Sequence, residues 1–97
     1  MAINKVDYEV LTTGVSTYAN QAEALDQVLS TLVCMNGQFQ DGWTNQTAEA
    51  FIERFEAEYG PALENARDAI QSISDFIKNY MQNRQDDDAQ GAAAVRA

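Results

Sequence analysis

The stretch that decides the fold is residues 37–45, Gly-Gln-Phe-Gln-Asp-Gly-Trp-Thr-Asn. It holds an Asp-Gly pair, a second glycine and an asparagine, which are residues that favour turns. Long stretches with few turn-forming residues lie on either side of it. We therefore predict a helix over about residues 5–39, a turn over about 40–45, and a second helix over about 46–84.

Upstream of the turn, apolar residues recur at alternating steps of three and four. This is the a/d pattern of a packed helix rather than the two-residue period of a strand. At 1.5 Å per residue, the series spans about 48 Å. Its one polar member, Asn36, lies close to the turn, and we expect it to be solvated there rather than to fix the register of a partner. The series is Tyr8, Leu11, Val15, Tyr18, Ala22, Leu25, Leu29, Leu32, Asn36 and Phe39.

Downstream of the turn, a second apolar series has two consecutive steps of four that meet at Ala66, close to Gly60-Pro61. Proline removes a backbone donor and clashes with the preceding turn, so it either kinks this helix or splits it. Because the apolar series continues on both sides, we favour a kinked helix. The series is Ala48, Ile52, Phe55, Tyr59, Ala62, Ala66, Ile70, Ile73, Ile77 and Tyr80.

Each apolar stripe is wider than the surface that the other helix of the same hairpin could bury. Val28, Val33 and Met35 flank the first series, and further apolar residues, among them Phe76, flank the second. A second hairpin would cover these residues. The predicted fold class is therefore all-α, an antiparallel helix-turn-helix hairpin that forms a homodimeric four-helix bundle. The residues expected in the core or dimer seam are Leu11, Val15, Tyr18, Leu25, Leu29, Leu32, Ile52, Phe55, Ile70, Ile73 and Ile77.

Composition excludes several classes of function. The net charge of -9 argues against nucleic acid and against anionic membranes, both of which recruit basic segments. The chain has no histidine, which excludes Ser-His-Asp catalysis and histidine-ligated metals. The single Cys34 forms no intrachain disulfide, and we expect it to be buried rather than to link two chains. Glu53, Glu56 and Glu58 are expected on an outward helix face with Arg54, so we predict neither an enzyme nor a cofactor.

The two ends of the sequence carry weaker signals. The opening residues are acidic rather than basic, and no apolar run is long enough for a secretory signal peptide or a membrane span. We expect the chain to be synthesised in the cytoplasm. Residues 86–97 have no periodic stripe and open with three aspartates, so we predict a flexible acidic and alanine-rich tail rather than a metal site.

The arrangement as a whole resembles the WXG family of ESAT-like type VII secretion substrates, which are small bacterial helical hairpins with a Trp-x-Gly turn. Trp43-Thr44-Asn45 stands where that motif would be, and Phe51 lies eight residues after the tryptophan. Tyr59-Gly60-Pro61 and the aliphatic residues that follow also look like the second helix of this family. The resemblance covers nearly the whole chain.

This resemblance implies that the chain is secreted without a cleaved signal peptide, as a folded dimer that the type VII secretion ATPase recognises. Two residues depart from the family pattern. Asn45 replaces the glycine of the turn, although asparagine also caps helices and tolerates left-handed backbone. The family's C-terminal signal, Tyr-x-x-x-Asp/Glu, would begin at Tyr80, but Arg84 stands four residues later, where the acid would be, and the first acid is Asp86. Either the signal is a longer variant from Tyr80 to Asp86, or a partner chain supplies it.

The sequence is also compatible with two alternative functions. The chain could be the small helical partner, or chaperone, of a larger type VII effector whose own helices complete the bundle. It could also be an intracellular coiled-coil adaptor unconnected to secretion.

Overall fold

Two long helical arms lie side by side in an antiparallel hairpin. The structure, a computed structural model, describes residues 5–96, with side chains described through residue 87. Helix α1 spans Tyr8–Gly42, α2 spans Gln46–Arg54, a π-helical turn spans Phe55–Tyr59, and α3 spans Gly60–Arg96. The described residues are 93% helical and include no strand. The all-α hairpin predicted from the sequence is confirmed, and the molecule measures 75 × 22 × 22 Å.

Helix α1 begins with a side-chain cap. The Asp7 carboxylate accepts hydrogen bonds from the backbone N–H groups of Glu9 and Val10, at 3.0 and 3.2 Å. These bonds satisfy donors that have no partner within the helix, and the negative charge suits the positive end of the helix dipole. The helix ends at Gly42, because the next residue, Trp43, has extended backbone.

The second arm is continuous through Gly60-Pro61. Proline cannot donate to the carbonyl one turn back, and the backbone here changes to a π-helical turn in which the Gly60 N–H donates to the Phe55 carbonyl, five residues earlier. Gly60 fits closely, since a Cβ added to it would lie 3.2 Å from the Phe55 carbonyl oxygen. The π turn inserts one extra residue, and this changes which side of α3 faces α1.

The core between the arms is thin. Its buried apolar residues are Ala22, Leu29, Ala48 and Phe55. Ser74 is also buried, and its hydroxyl donates to the Val15 carbonyl across the seam at 2.8 Å, so a polar side chain is tolerated because it has a partner. A core of this size provides little hydrophobic stabilisation for an independent hairpin.

The helix bounds differ from the predicted ones at both ends of the second arm. The connection is shorter than predicted, since only residues 43–45 separate α1 from α2. Helix α3 continues to Arg96, past the predicted end near residue 84, so the backbone of residues 86–96 is helical. The side chain of Asp88 lies outside the described residues.

Candidate interaction site

The turn is built by Trp43, Thr44 and Asn45. The Trp43 N–H donates to the Phe39 carbonyl at 2.7 Å and closes the end of α1. The Asn45 side chain accepts from the Ala48 N–H at 2.8 Å and caps α2. Asn45 has extended backbone, with φ of -163° and ψ of 178°, so this position does not require the left-handed conformation that favours glycine. The departure from Trp-x-Gly therefore leaves the turn intact.

Three aromatic rings hold the two arms together at the turn. The ring centroids of Phe39 and Trp43 are 5.7 Å apart, and those of Phe39 and Phe51 are 5.9 Å apart, both in edge-to-face geometry. Trp43 and Phe51 approach to 6.0 Å. Such contacts stabilise beyond the area that they bury, and they fix the direction in which the chain reverses.

Contacts across the seam show how the arms align. Thr12 meets Met81, Val15 meets Ser74, and Asp26 meets Arg67, so positions rise along α1 as they fall along α3. The Arg67–Asp26 ion pair measures 2.6 Å, and its hydrogen bond raises the pKa of the Arg67 guanidinium. Both side chains are partly exposed, so the pair contributes more to alignment than to stability.

At most positions the seam of α3 lies one residue later than the sequence series predicts, whereas Ile70 and Ile77 lie in the seam as predicted. The residues that face α1 are buried or half-buried, whereas Ile73 remains 42% exposed and Tyr80 43% exposed. The π turn causes this shift, because its extra residue rotates every later position by about 100°. From the turn onward the seam residues are Gly60, Leu63, Arg67, Ile70, Ser74, Ile77, Met81 and Arg84.

The rotation leaves an unpaired apolar stripe on α3. Each of its residues precedes a seam residue by one position, and the largest, Phe76, is 71% exposed. A matching stripe on α1 includes Val10, Val28 and Met35, which also precede seam residues by one position. Together these residues form what we call the front face: Val10, Tyr18, Val28, Leu32 and Met35 from α1, Tyr59 from the π turn, and Ala62, Ala66, Ala69, Ile73, Phe76 and Tyr80 from α3.

Both stripes lie on the same side of the hairpin. In a right-handed helix, the side chain that precedes a seam residue is rotated from it by about 100° around the helix axis. Because the two helices run in opposite directions, the same backward rotation in each points to the same side. The opposite side, which we call the back face, carries residues that follow a seam residue by one position. It is polar and includes Glu23, Glu64, Asp68, Asp75 and Lys78.

The predicted seam residues divide between these surfaces. Within the single hairpin Leu29 and Phe55 are buried, and Leu11, Val15, Leu25, Ile52, Ile70 and Ile77 are half-buried. Tyr18, Leu32 and Ile73 instead lie on the front face, at 39%, 39% and 42% exposure. The periodicity could not separate these two groups, because it counts apolar residues and does not detect an inserted helical residue.

The candidate export residues lie at opposite ends of the rod. Trp43 is at the turn, whereas Tyr80 and Asp86 lie in the half of α3 that is farther from the turn, where both are exposed. One hairpin therefore does not bring Tyr80 close to Trp43. Tyr80 belongs to the front face, so a partner that covers this face would contact it.

Several other expectations can be compared with the structure. Cys34 is exposed rather than buried, because α1 turns it away from α3. Asn36 is half-buried. Arg54 pairs with Glu58 at 3.1 Å on an exposed surface. Among the described residues, no group of acidic or cysteine side chains could hold a metal ion, and no helix is long and apolar enough to cross a membrane.

Comparison with known protein families finds a match over most of the chain. The family described as WXG100, proteins of 100 residues with WXG, matches residues 4–89. No curated protein and no solved structure matches the chain. The family match spans the turn, the π turn and the whole front face.

Proposed function

The chain belongs to the WXG100 family, and from that premise we propose that it is a non-enzymatic substrate of a bacterial type VII secretion system, exported as a folded helical dimer. Members of the family are small helical proteins, typically secreted as type VII substrates, and they commonly form dimers. The observation that carries the proposal is the front face, which exposes large apolar side chains along one side of the rod. A contiguous apolar surface of this kind marks a protein interaction site.

The absence of charge from the front face supports a second copy as the partner. Residues 10–40 contain two charged side chains, Glu23 and Asp26, and both lie toward the back face. Between residues 59 and 85, every charged residue is a seam residue or follows one. Two copies with a net charge of -9 each therefore meet without bringing acidic groups into the interface.

The distribution of charge along the rod favours antiparallel pairing. Residues 40–64, at the turn end, hold six acidic residues and one basic residue, a net charge of -5. Residues 5–10 and 75–87, at the other end, hold five acidic and three basic residues, a net charge of -2. An antiparallel dimer places each turn end beside the less acidic end of its mate, whereas a parallel dimer would place the two most acidic ends together.

Side-chain size also suits this arrangement. The front face of α3 is bulky toward the chain ends, with Ile73, Phe76 and Tyr80, and small toward the turn, with Ala62 and Ala66. A two-fold axis perpendicular to the long axes of the hairpins would pack the bulky half of each α3 against the alanine half of α3 in the second copy. A symmetric dimer requires a self-complementary interface of this kind. The same axis brings Trp43 and Asn45 of one chain to the end at which Tyr80 and Asp86 of the other lie. This composite end is the surface that we propose the secretion ATPase recognises.

Export is tested by measuring the chain in culture supernatant of its host with and without the membrane ATPase of the secretion system. We expect the extracellular level to fall to background without the ATPase, while the intracellular level is maintained. The Asp86→Asn variant should reduce export without reducing the dimer fraction, and Asp75→Asn, on the back face, is the matched control. Tyr80→Ala should reduce both export and the dimer fraction, because Tyr80 lies on the front face. An extracellular level that is independent of the ATPase would leave the intracellular adaptor as the better explanation.

The second candidate function is that of a small partner or chaperone for a larger type VII effector. It is favoured by one observation, Arg84 at the position at which the family signal carries an acid. In that case the front face would be covered by the effector's helices. Co-expression with the neighbouring gene products, followed by sedimentation, separates the two candidates: a chain that is a stable dimer alone supports self-pairing, and one that dimerises only with the effector supports the second candidate.

A further inference from the structure

We propose that the turn half of the back face is a second docking site, one that takes a basic amphipathic helix from another protein. This surface, which we call the back groove, lies on the side of the hairpin opposite the front face. A dimer formed through the front face would leave it open. The inference therefore does not depend on the proposed export or on the proposed dimer.

Two adjoining cavities form the back groove. The first, of about 640 Å³, wraps around the turn and is lined by Trp43, Ala48 and Ile52. The second, of about 540 Å³, continues along the seam past Val33 and Phe55 to Glu64. They share Gln40, Ile52 and Glu56, so they form one continuous depression. From Glu49 to Glu64 the groove follows about 22 Å of helix, which is about four turns of a docked helix.

The floor of the groove is apolar because of local features of the two arms. The π turn includes Phe55, which is buried and lines this floor, and π turns frequently occur at functional sites. On the facing side, Gly37 contributes no side chain, so the floor remains accessible. Val33, which lines this floor, is 54% exposed, and among the described residues it is the one large exposed apolar side chain outside the front face.

The rim of the groove carries uncompensated negative charge. Glu49, Glu53 and Glu56 recur along one side of the helix and line the first cavity, and Glu64 lines the second. None of these four carboxylates belongs to an ion pair among the described residues. Glu49 and Glu53 are spaced i, i+4, so their like charges destabilise the helix.

The nearby cations do not neutralise this rim. Arg54 pairs with Glu58, and neither residue lines either cavity. Arg67 pairs with Asp26 and Asp68 beyond the end of the groove. An apolar floor with an acidic rim is complementary to a helix with an apolar stripe flanked by lysine or arginine. An acidic partner, or a lipid surface with anionic headgroups, would be repelled.

The test uses two synthetic 16-residue amphipathic peptides that share a leucine stripe, one with lysine and one with glutamate on the polar face. Each is titrated into the full chain, and binding is followed by the fluorescence of Trp43, the only tryptophan, and by backbone amide chemical shifts. We expect the lysine peptide to bind saturably and to shift resonances of residues 33–64, while the glutamate peptide does not bind. Absence of saturable binding, or shifts confined to the front face, would overturn the proposal.

Matched variants separate the groove from general charge attraction. The triple variant E49Q/E53Q/E56Q should weaken binding of the lysine peptide about tenfold, whereas E23Q/D68N/D75N, with the same change in net charge outside the groove, should weaken it less than about threefold. Val33→Asp adds a negative charge but makes the floor of the groove polar, so it should weaken binding of the lysine peptide. Ser30→Asp adds the same charge at a residue that does not line the groove, and it should not weaken binding. Equal effects within either pair would overturn the proposal. Circular dichroism of each variant shows that the helices are retained.

Discussion

Replacing Phe76 by alanine tests the role of the front face most directly. Phe76 is 71% exposed in the single hairpin, so shortening it should leave the fold of one chain almost unchanged. Complete burial of a phenylalanine side chain stabilises by about 1.5–3 kcal/mol, and the exposed part accounts for about 1–2 kcal/mol of this. In a symmetric dimer the substitution occurs twice, so the loss is about 2–4 kcal/mol per dimer. This corresponds to a dissociation constant raised roughly 30- to 1000-fold.

Sedimentation equilibrium over a range of concentrations measures this change, with the wild-type chain expected to approach twice its mass of 10.7 kDa. The matched control is Val33→Ala, which shortens an exposed apolar side chain in the back groove and should leave the dissociation constant unchanged. The reasoning is refuted if Phe76→Ala dimerises within threefold of the wild type, or if Val33→Ala weakens the dimer equally. A wild-type chain that is monomeric at high micromolar concentration would refute it as well.

Three further predictions concern the hairpin itself. Phe55→Ala should lower the free energy of unfolding by about 3–5 kcal/mol in a urea titration, because the ring is only 8% exposed and lies against Gly60; a loss below about 1 kcal/mol would show that the π turn is not packed as described. Asn45→Ala should cost about 1 kcal/mol by removing the cap of α2, and Asn45→Asp should retain most of the stability; equal losses would argue against the cap. Cys34 should react with a thiol reagent in the native protein about as fast as in urea, and strong protection would place it in an interface.

The hairpin could be predicted because its causes are local. The turn-forming residues of 37–45 interrupt two long apolar periodicities, and such a pattern leaves few alternatives to two packed helices. The cap at Asn45 follows from residue type in the same way, since the side chain reaches a donor three residues away. The aromatic contact of Trp43 with Phe51 needs only a reversal of the chain between them.

The burial of individual residues could not be predicted with the same success. Cys34 was expected to be buried from residue type, but it is exposed because a thin two-helix seam covers only one side of α1. Arg67 and Ser74 occupy seam positions that no hydrophobicity rule would assign. They are accommodated by partners on the other arm, Asp26 and the Val15 carbonyl, which are distant in sequence.

The amino-acid sequence by itself determined two amphipathic helices, the turn between them and an excess of apolar surface, because helical periodicity and turn chemistry depend on neighbouring residues. The tertiary structure decided which apolar residues on α3 face inward. The π turn at Phe55–Tyr59 adds one residue to the helix before Pro61, and each later side chain is thereby rotated by about 100°. Ile73, Phe76 and Tyr80 consequently lie on the front face, beside the apolar stripe of α1, and the two stripes form one surface because the arms run antiparallel.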